Sequence, residues 1–188
     1  MQQNTKEWLE WRNKGLGASD APIIMGVSPW TTRLELWEQK LGLRPPPAEN
    51  YWMTRGKQLE PKALIGFNFR QEDNYKPVLA QHEKYPFLRA SLDGWNGKRV
   101  VEVKCPGKKA HDIAKGKGVV PEYYMPQCQH QMMITGTDWM WYTSFREAST
   151  DCPSIDIKVY ADHAYIELML KEELEFWDCV KNKRPPKN

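Results

Sequence analysis

Four cysteines in 188 residues are too few and too scattered to staple this chain or to clip a metal into it. Cys105, Cys128, Cys152 and Cys179 stand 23, 24 and 27 residues apart, with no C-x-x-C pair. Zinc ribbons and iron–sulfur sites draw ligands from short cysteine spacings, so neither is expected, and reduced thiols in a cytoplasmic protein are. The four histidines form no H-E-x-x-H or comparable pair, which argues against a histidine-built metal site. No apolar run approaches the ~20 residues of a membrane helix. The opening MQQNTKEWLEW lacks the basic leader and apolar stretch of a secretory signal. No membrane association is therefore expected. Net charge is also small, at +3 from 27 Lys plus Arg against 24 Asp plus Glu, and 40% of residues are hydrophobic. A wholly disordered chain is excluded. The length suits a single domain over residues 1–188, which should bury roughly 70% of its unfolded surface without disulfides. Residues 181–188, with Pro185 and Pro186 among basic neighbours, read as a flexible basic tail.

The charge that is present is concentrated. Residues 98–118 hold Lys98, Arg99, Lys104, Lys108, Lys109, Lys115 and Lys117 against only Glu102 and Asp112, a local +5. Dense positive charge on a glycine-bearing segment attracts a phosphate backbone through counterion release.

Patterning predicts short helices over residues 5–14 and 32–41, the second opened by a Thr32/Glu35 capping box and stopped by Gly42. Ser19 or Asp20 is placed to cap a helix with Pro22 in its first turn. A longer helix is expected over residues 54–69, with Pro61 in its first turn or at a kink. The period then changes. Strands are expected over 75–81, 87–93 and 99–104, separated by Asp93-Gly94 and Asn96-Gly97 turns. Helices over 108–115 and 122–134, strands over 138–145 and 155–159, and a helix over 162–180 complete the order. This order predicts an α/β protein of the α+β kind: a mixed sheet flanked by helices, not a regular βαβ repeat.

The sharpest local feature is Asp93 followed by Val-Val-Glu102-Val-Lys104. Side chains alternate along a strand, so Glu102 and Lys104 share one face while Val101 and Val103 turn to the core. An Asp93 that ends the preceding strand and turns back through a hairpin lies beside Glu102. Paired carboxylates repel unless a cation neutralises them, and hard oxygen ligands suit Mg²⁺ or Mn²⁺, with the Val103 carbonyl as a third ligand. A lysine beside such an ion can hold a water for phosphodiester cleavage. By itself E-x-K is also the pattern of an ordinary surface ion pair.

These residues resemble a known signature. Ser91-Leu92-Asp93-Gly94 with Glu102-Val103-Lys104-Cys105-Pro106 is similar to the PD-(D/E)xK motif of the lambda-exonuclease-like, or YqaJ viral recombinase, nucleases. Trp11-Arg12 with Gly17-Ala18-Ser19-Asp20, Arg55-Gly56-Lys57-Gln58-Leu59-Glu60, and Tyr124-Met125-Pro126-Gln127-Cys128-Gln129 resemble that family's other blocks, in the same order. The helicase-linked relatives place Q-x-x-x-Y after the motif, whereas Gln127 here is followed by Gln131, which favours the phage branch.

The resemblance implies a restriction-endonuclease-like core and a Mg²⁺-dependent 5′→3′ exonuclease acting on double-stranded DNA ends. It implies two ions held by Asp93, Glu102 and the Val103 carbonyl, with Mn²⁺ able to substitute, and Lys104 positioning the attacking water. Glu60 would face the second ion or the Lys104 ammonium, and Gln129 would hold the water or the scissile phosphate. Arg12, Ser19 and Ser91 would grip a terminal 5′-phosphate, and Lys108, Lys109, Lys115 and Lys117 the DNA backbone. A homotrimeric ring, a bacterial host cytoplasm and a phage single-strand annealing protein as partner are implied as well. The rival expectations are an endonuclease of the same fold and a non-catalytic DNA-end binding module.

Overall fold

Capping side chains set where the helices begin in the computed structural model of the chain, which describes residue 3 and residues 5–187. Thr5 accepts the Trp8 N–H at the start of α1 (Lys6–Asn13). A two-residue strand, β1 (Leu16–Gly17), follows, then a 3-10 turn over Ala18–Asp20 and the single-turn α2 (Ala21–Ile24). Ser19 does not cap this helix. Asp20 instead accepts the Gly17 N–H at 2.9 Å and the Lys40 ammonium at 2.6 Å. The Thr32/Glu35 box closes around the first turn of α3 (Arg33–Lys40) as the spacing predicts. α4 (Tyr51–Gln71) begins at Tyr51 instead of residue 54, because Asn50 accepts the Met53 N–H at 3.0 Å. Pro61 therefore falls in the helix interior, where it withholds one backbone N–H, and not in the first turn.

The sheet is mixed, as expected. β2 (Lys76–Gln81), β3 (Leu88–Trp95) and β4 (Val100–Lys104) pair antiparallel in turn. α5 (Lys108–Lys117), a 3-10 turn and α6 (Met125–Thr135) carry the chain over one face. β5 (Trp139–Phe145) then lies parallel to β4, β6 (Ser154–Tyr160) antiparallel to β5, and α7 (His163–Lys181) follows. β1 was not expected; two residues offer no alternation to read. It pairs parallel to β3 at Leu16↔Leu88 and Gly17↔Arg89.

That small strand matters because β2 occupies one edge of β3, so β1 and β4 must share the other. β1 takes Leu88 and Arg89, and β4 takes only Gly94 and Trp95. The edge of β3 over residues 90–93 is left open between them. Asp93 thus lies inside β3 and does not end it. The reversal comes later, where Asn96 Oδ1 accepts the Lys98 and Arg99 N–H groups around Gly97, at φ 92°.

Three apolar clusters hold these layers. Val101 and Val103 meet Ala63, Leu64 and Phe67 of α4 on one face. Leu92, Val100 and Tyr142 meet Ala114, Cys128 and Met132 of α5 and α6 on the other. Leu16, Ile24, Leu36 and Trp37 pack against Phe176 and Cys179 of α7, each large side chain contributing about 1.5–3 kcal/mol of burial. After α7 the Arg184 N–H returns to the Cys179 carbonyl at 2.9 Å. Among the described residues, no helix is long and apolar enough to cross a membrane.

Candidate functional site

Where β3 and β4 part, side chains replace the backbone ladder. The Val103 N–H donates to Asp93 Oδ2 at 2.8 Å, so the Asp93 carboxylate takes the place of a strand carbonyl. Glu102, only 1% exposed, points with Lys104 toward α6, while Val101 and Val103 face α4, as strand alternation requires. The Lys104 ammonium lies 2.5 Å from Glu102 Oε1 and donates to Gln127 Oε1 at 3.0 Å. Gln127 Nε2 donates back to Glu102 Oε1 at 2.6 Å, and Gln131 Nε2 to Glu102 Oε2 at 2.5 Å. The acid and the lysine are thus locked in one hydrogen-bonded ring anchored on α6.

The resemblance placed Gln129 here, and the structure does not. Gln129 Nε2 donates to the Tyr160 carbonyl at 3.0 Å, and its Oε1 accepts the Asp162 N–H at 2.9 Å, tying α6 to the β6–α7 junction. Two residues along a helix turn a side chain by roughly 200°, so Gln129 cannot share the face of Gln127. The residues missed in the sequence are Gln127 and Gln131. Their signal was available: four apart on a helix, they stack on one face.

The electrostatics follow from crowding. Burial, then the Glu102 and Glu60 carboxylates, push Asp93 well above the usual carboxylate range. Burial and the Glu102 carboxylate likewise raise Glu60, on α4. Burial works against the Lys104 ammonium but is overcome by Glu102 and Asp93, which hold its pKa above the ordinary lysine value. Glu102 holds the Lys104 ammonium and Asp93 holds the adjoining Val103 N–H, so two carboxylates flank one ammonium with the Glu60 charge acting on both, which leaves surplus negative charge. This donor set fits a hard divalent cation. Asp93 and Glu102 would hold it, with the Val103 carbonyl. Among the described residues, no three His, Cys, Asp or Glu side chains already gather as a cage, so backbone and water oxygens would complete the shell.

A second cluster forms where α1 meets the loop after β1. Arg12 Nη2 donates to Ser19 Oγ at 2.6 Å, and its guanidinium lies 5.2 Å from the centre of the Trp8 ring. Trp8 Nε1 donates to Ser91 Oγ at 2.8 Å. Arg12, Ser19 and Ser91 are thus brought together, with Trp8 as the link the sequence did not disclose.

The basic segment does not form one patch. Lys98 and Arg99 sit in the β3–β4 turn, at the opposite end of β4 from α5, with Arg99 over the Trp139 ring at 4.8 Å. On α5, Lys108 pairs with Asp112 at 2.5 Å and Lys115 with Asp151, while Lys109 and Lys117 are exposed to solvent.

The fold that carries this site is similar to that of the alkaline exonuclease LHK-Exo from Laribacter hongkongensis. That structure superposes with a TM-score of 0.84 at 25% identity, over 96% of this chain and 94% of that one. A phage-related exonuclease from Haemophilus somnus 129PT shares the fold at 13% identity, with a TM-score of 0.62 over 90% of this chain and 96% of that one. The family model described as YqaJ-like viral recombinase domain matches residues 7–138, and the chain belongs to that family. It is 28% identical over 176 residues to the uncharacterized protein YqaJ of Bacillus subtilis (strain 168), spanning 92% of this chain and 55% of that relative.

Proposed function

We propose that the chain is a Mg²⁺-dependent 5′→3′ exonuclease that digests one strand of linear duplex DNA and leaves a 3′ single strand. The observation that carries this reading is the acid–acid–lysine set of Asp93, Glu102 and Lys104 at the parting of β3 and β4, in a fold shared with an alkaline exonuclease. Arg12, Ser19 and Ser91 receive the terminal 5′-phosphate, for which a guanidinium fork and two hydroxyls are suited. The open edge of β3 leads from that pocket to Asp93. Lys104, kept as an ammonium, donates to the attacking water and fixes its position, while Gln127 fixes Lys104. Asp93, Glu102 and the Val103 carbonyl would hold a divalent cation, which would supply charge neutralisation and Lewis acidity at the scissile phosphate. Lys109 and Lys117 offer exposed charge for the duplex backbone. The reading extends to a homotrimeric ring around DNA and to delivery of the 3′ strand to a phage single-strand annealing protein.

Three substrates test it: 5′-phosphorylated linear duplex, 5′-hydroxyl linear duplex and covalently closed circular duplex, each with and without Mg²⁺. Mononucleotides should be released from the linear duplexes only, faster from the phosphorylated one, and only with Mg²⁺. Lys104→Ala should abolish release while the protein still folds, as circular dichroism would show. Cutting of the closed circle would make the protein an endonuclease, and undiminished release by Lys104→Ala would remove the assigned site.

A further inference from the structure

An aromatic ladder climbs from the active-site lysine to solvent. Tyr124 presents its ring to the Lys104 ammonium, 5.0 Å from the ring centre. Tyr123 packs edge-on against Tyr124, with centroids 4.5 Å apart at 63°. Trp30 stands edge-on to Tyr123 at 5.1 Å and 84°, and 6.3 Å from Tyr124. The three rings come from the loop between α2 and α3 and from the turn that opens α6, so the fold gathers them. Trp30 is 67% exposed, yet its loop is pinned: the Val27 and Ser28 N–H groups donate to the Pro22 carbonyl, and the Trp30 and Thr31 N–H groups to Ser28 Oγ. An indole held upright in water on a fixed loop gives up the burial it could have had, and such surfaces mark binding sites.

We propose that Trp30 is a stacking shelf for an unpaired nucleobase of the strand being digested. The inference rests on the nuclease reading, which puts the scissile phosphate beside Lys104; the base of the same or the adjoining nucleotide then comes within reach of a ring two contacts away. The occupant follows from the surroundings. The inner ring of the ladder, Tyr124, lies against the Lys104 ammonium on one side and the buried Tyr142 of the core on the other, so a ligand lying along the exposed rings toward that ammonium carries both a flat ring and an anion. Edge-on packing by Tyr123 leaves a face of the indole free, the geometry in which rings stack. Every base has such a face, so the shelf demands no sequence preference.

Binding without Mg²⁺ tests the shelf apart from catalysis. The probes are short 5′-phosphorylated single strands whose first two nucleotides either carry bases or are abasic. The wild-type protein should bind the base-bearing strand about tenfold more tightly. Trp30→Ala should bring that ratio near unity, and Trp30→Phe should keep most of it. Neither should shift the melting temperature, because the ring is exposed. A ratio unchanged in Trp30→Ala overturns the shelf, whatever the activity. A duplex left undigested by the wild type in Mg²⁺, with the binding ratio intact, overturns the nuclease reading and leaves the shelf standing.

Discussion

Asp93 shows how much a carboxylate of the proposed site can work against its own fold. Burial raises its pKa first, the Glu102 and Glu60 carboxylates raise it further, and Lys104 and the Val103 N–H offset only part of this. A carboxyl whose pKa is higher in the folded than in the unfolded state stabilises the fold while protonated. That contribution is lost as pH rises from the ordinary value of about 3.9 through the folded one. The metal-free protein is therefore expected to weaken with rising pH at this residue. Asp93→Asn keeps an oxygen for the Val103 N–H and removes the charge. In the presence of a chelator at neutral pH it should melt higher by about 1 kcal/mol, roughly 2–4 °C, with the advantage vanishing near pH 4. Calorimetry across that pH range reads both effects, and the variant should release no nucleotides. A lower melting temperature at neutral pH would show that repulsion among Asp93, Glu102 and Glu60 is not the dominant force there.

At the scale of the element, α6 does three jobs with four consecutive-turn polar residues. Gln127 and Gln131 face Glu102, Gln129 faces the β6–α7 junction, and buried His130 takes Glu173 Oε1 at 2.7 Å and the Arg89 carbonyl at 3.0 Å. The assignment predicts opposite phenotypes two residues apart. Gln127→Ala should lower the turnover rate about a hundredfold, because Lys104 loses its anchor, with little change in melting. Gln129→Ala should cost about 1–3 kcal/mol of stability, from the two hydrogen bonds lost to the Asp162 N–H and the Tyr160 carbonyl, and leave turnover intact. His130 supplies a pH dependence. Burial lowers its pKa, but Glu173 and the Arg89 carbonyl overcome this and hold it above the ordinary value. Stability from this pair is full below about pH 6.5 and is lost as pH rises through the raised value. Glu173→Gln should flatten that slope in urea titrations and destabilise the protein by about 3–5 kcal/mol at pH 6. Much of this element was legible beforehand: its position, to within three residues at its start, and, through the family resemblance, a glutamine at the acid–lysine set. Which glutamine was not, because several polar residues in one helix leave no apolar stripe to fix its rotation. The strands were legible from alternation, and Glu102 and Lys104 with them. β1 and the Asp93 placement were not, since both depend on pairing between residues far apart in the chain.

For the whole molecule, the decisive feature is that β1 and β4 share one edge of β3 and leave residues 90–93 open between them. Ser91 belongs to the Arg12 cluster and Asp93 to the acid–lysine set, so the two sites are joined by one short run of strand, about 7 Å along its axis. A strand end gripped at Ser91 and Arg12 would thus be held at a fixed offset from the proposed hydrolytic site. The guanidinium is held in advance by Ser19 and the Trp8 ring, so little side-chain freedom remains to be lost when a phosphate binds. Arg12→Ala is therefore expected to cut the preference for 5′-phosphate over 5′-hydroxyl ends about tenfold or more, the usual worth of a charged hydrogen bond. The rate on hydroxyl ends should barely change. Arg12→Lys should restore only part of the preference, because an ammonium cannot fork across two phosphate oxygens. Initial rates on the paired substrates measure the ratio directly. An unchanged ratio in Arg12→Ala would take Arg12 out of the end pocket, and an equal loss on both ends would make it a duplex-positioning residue instead.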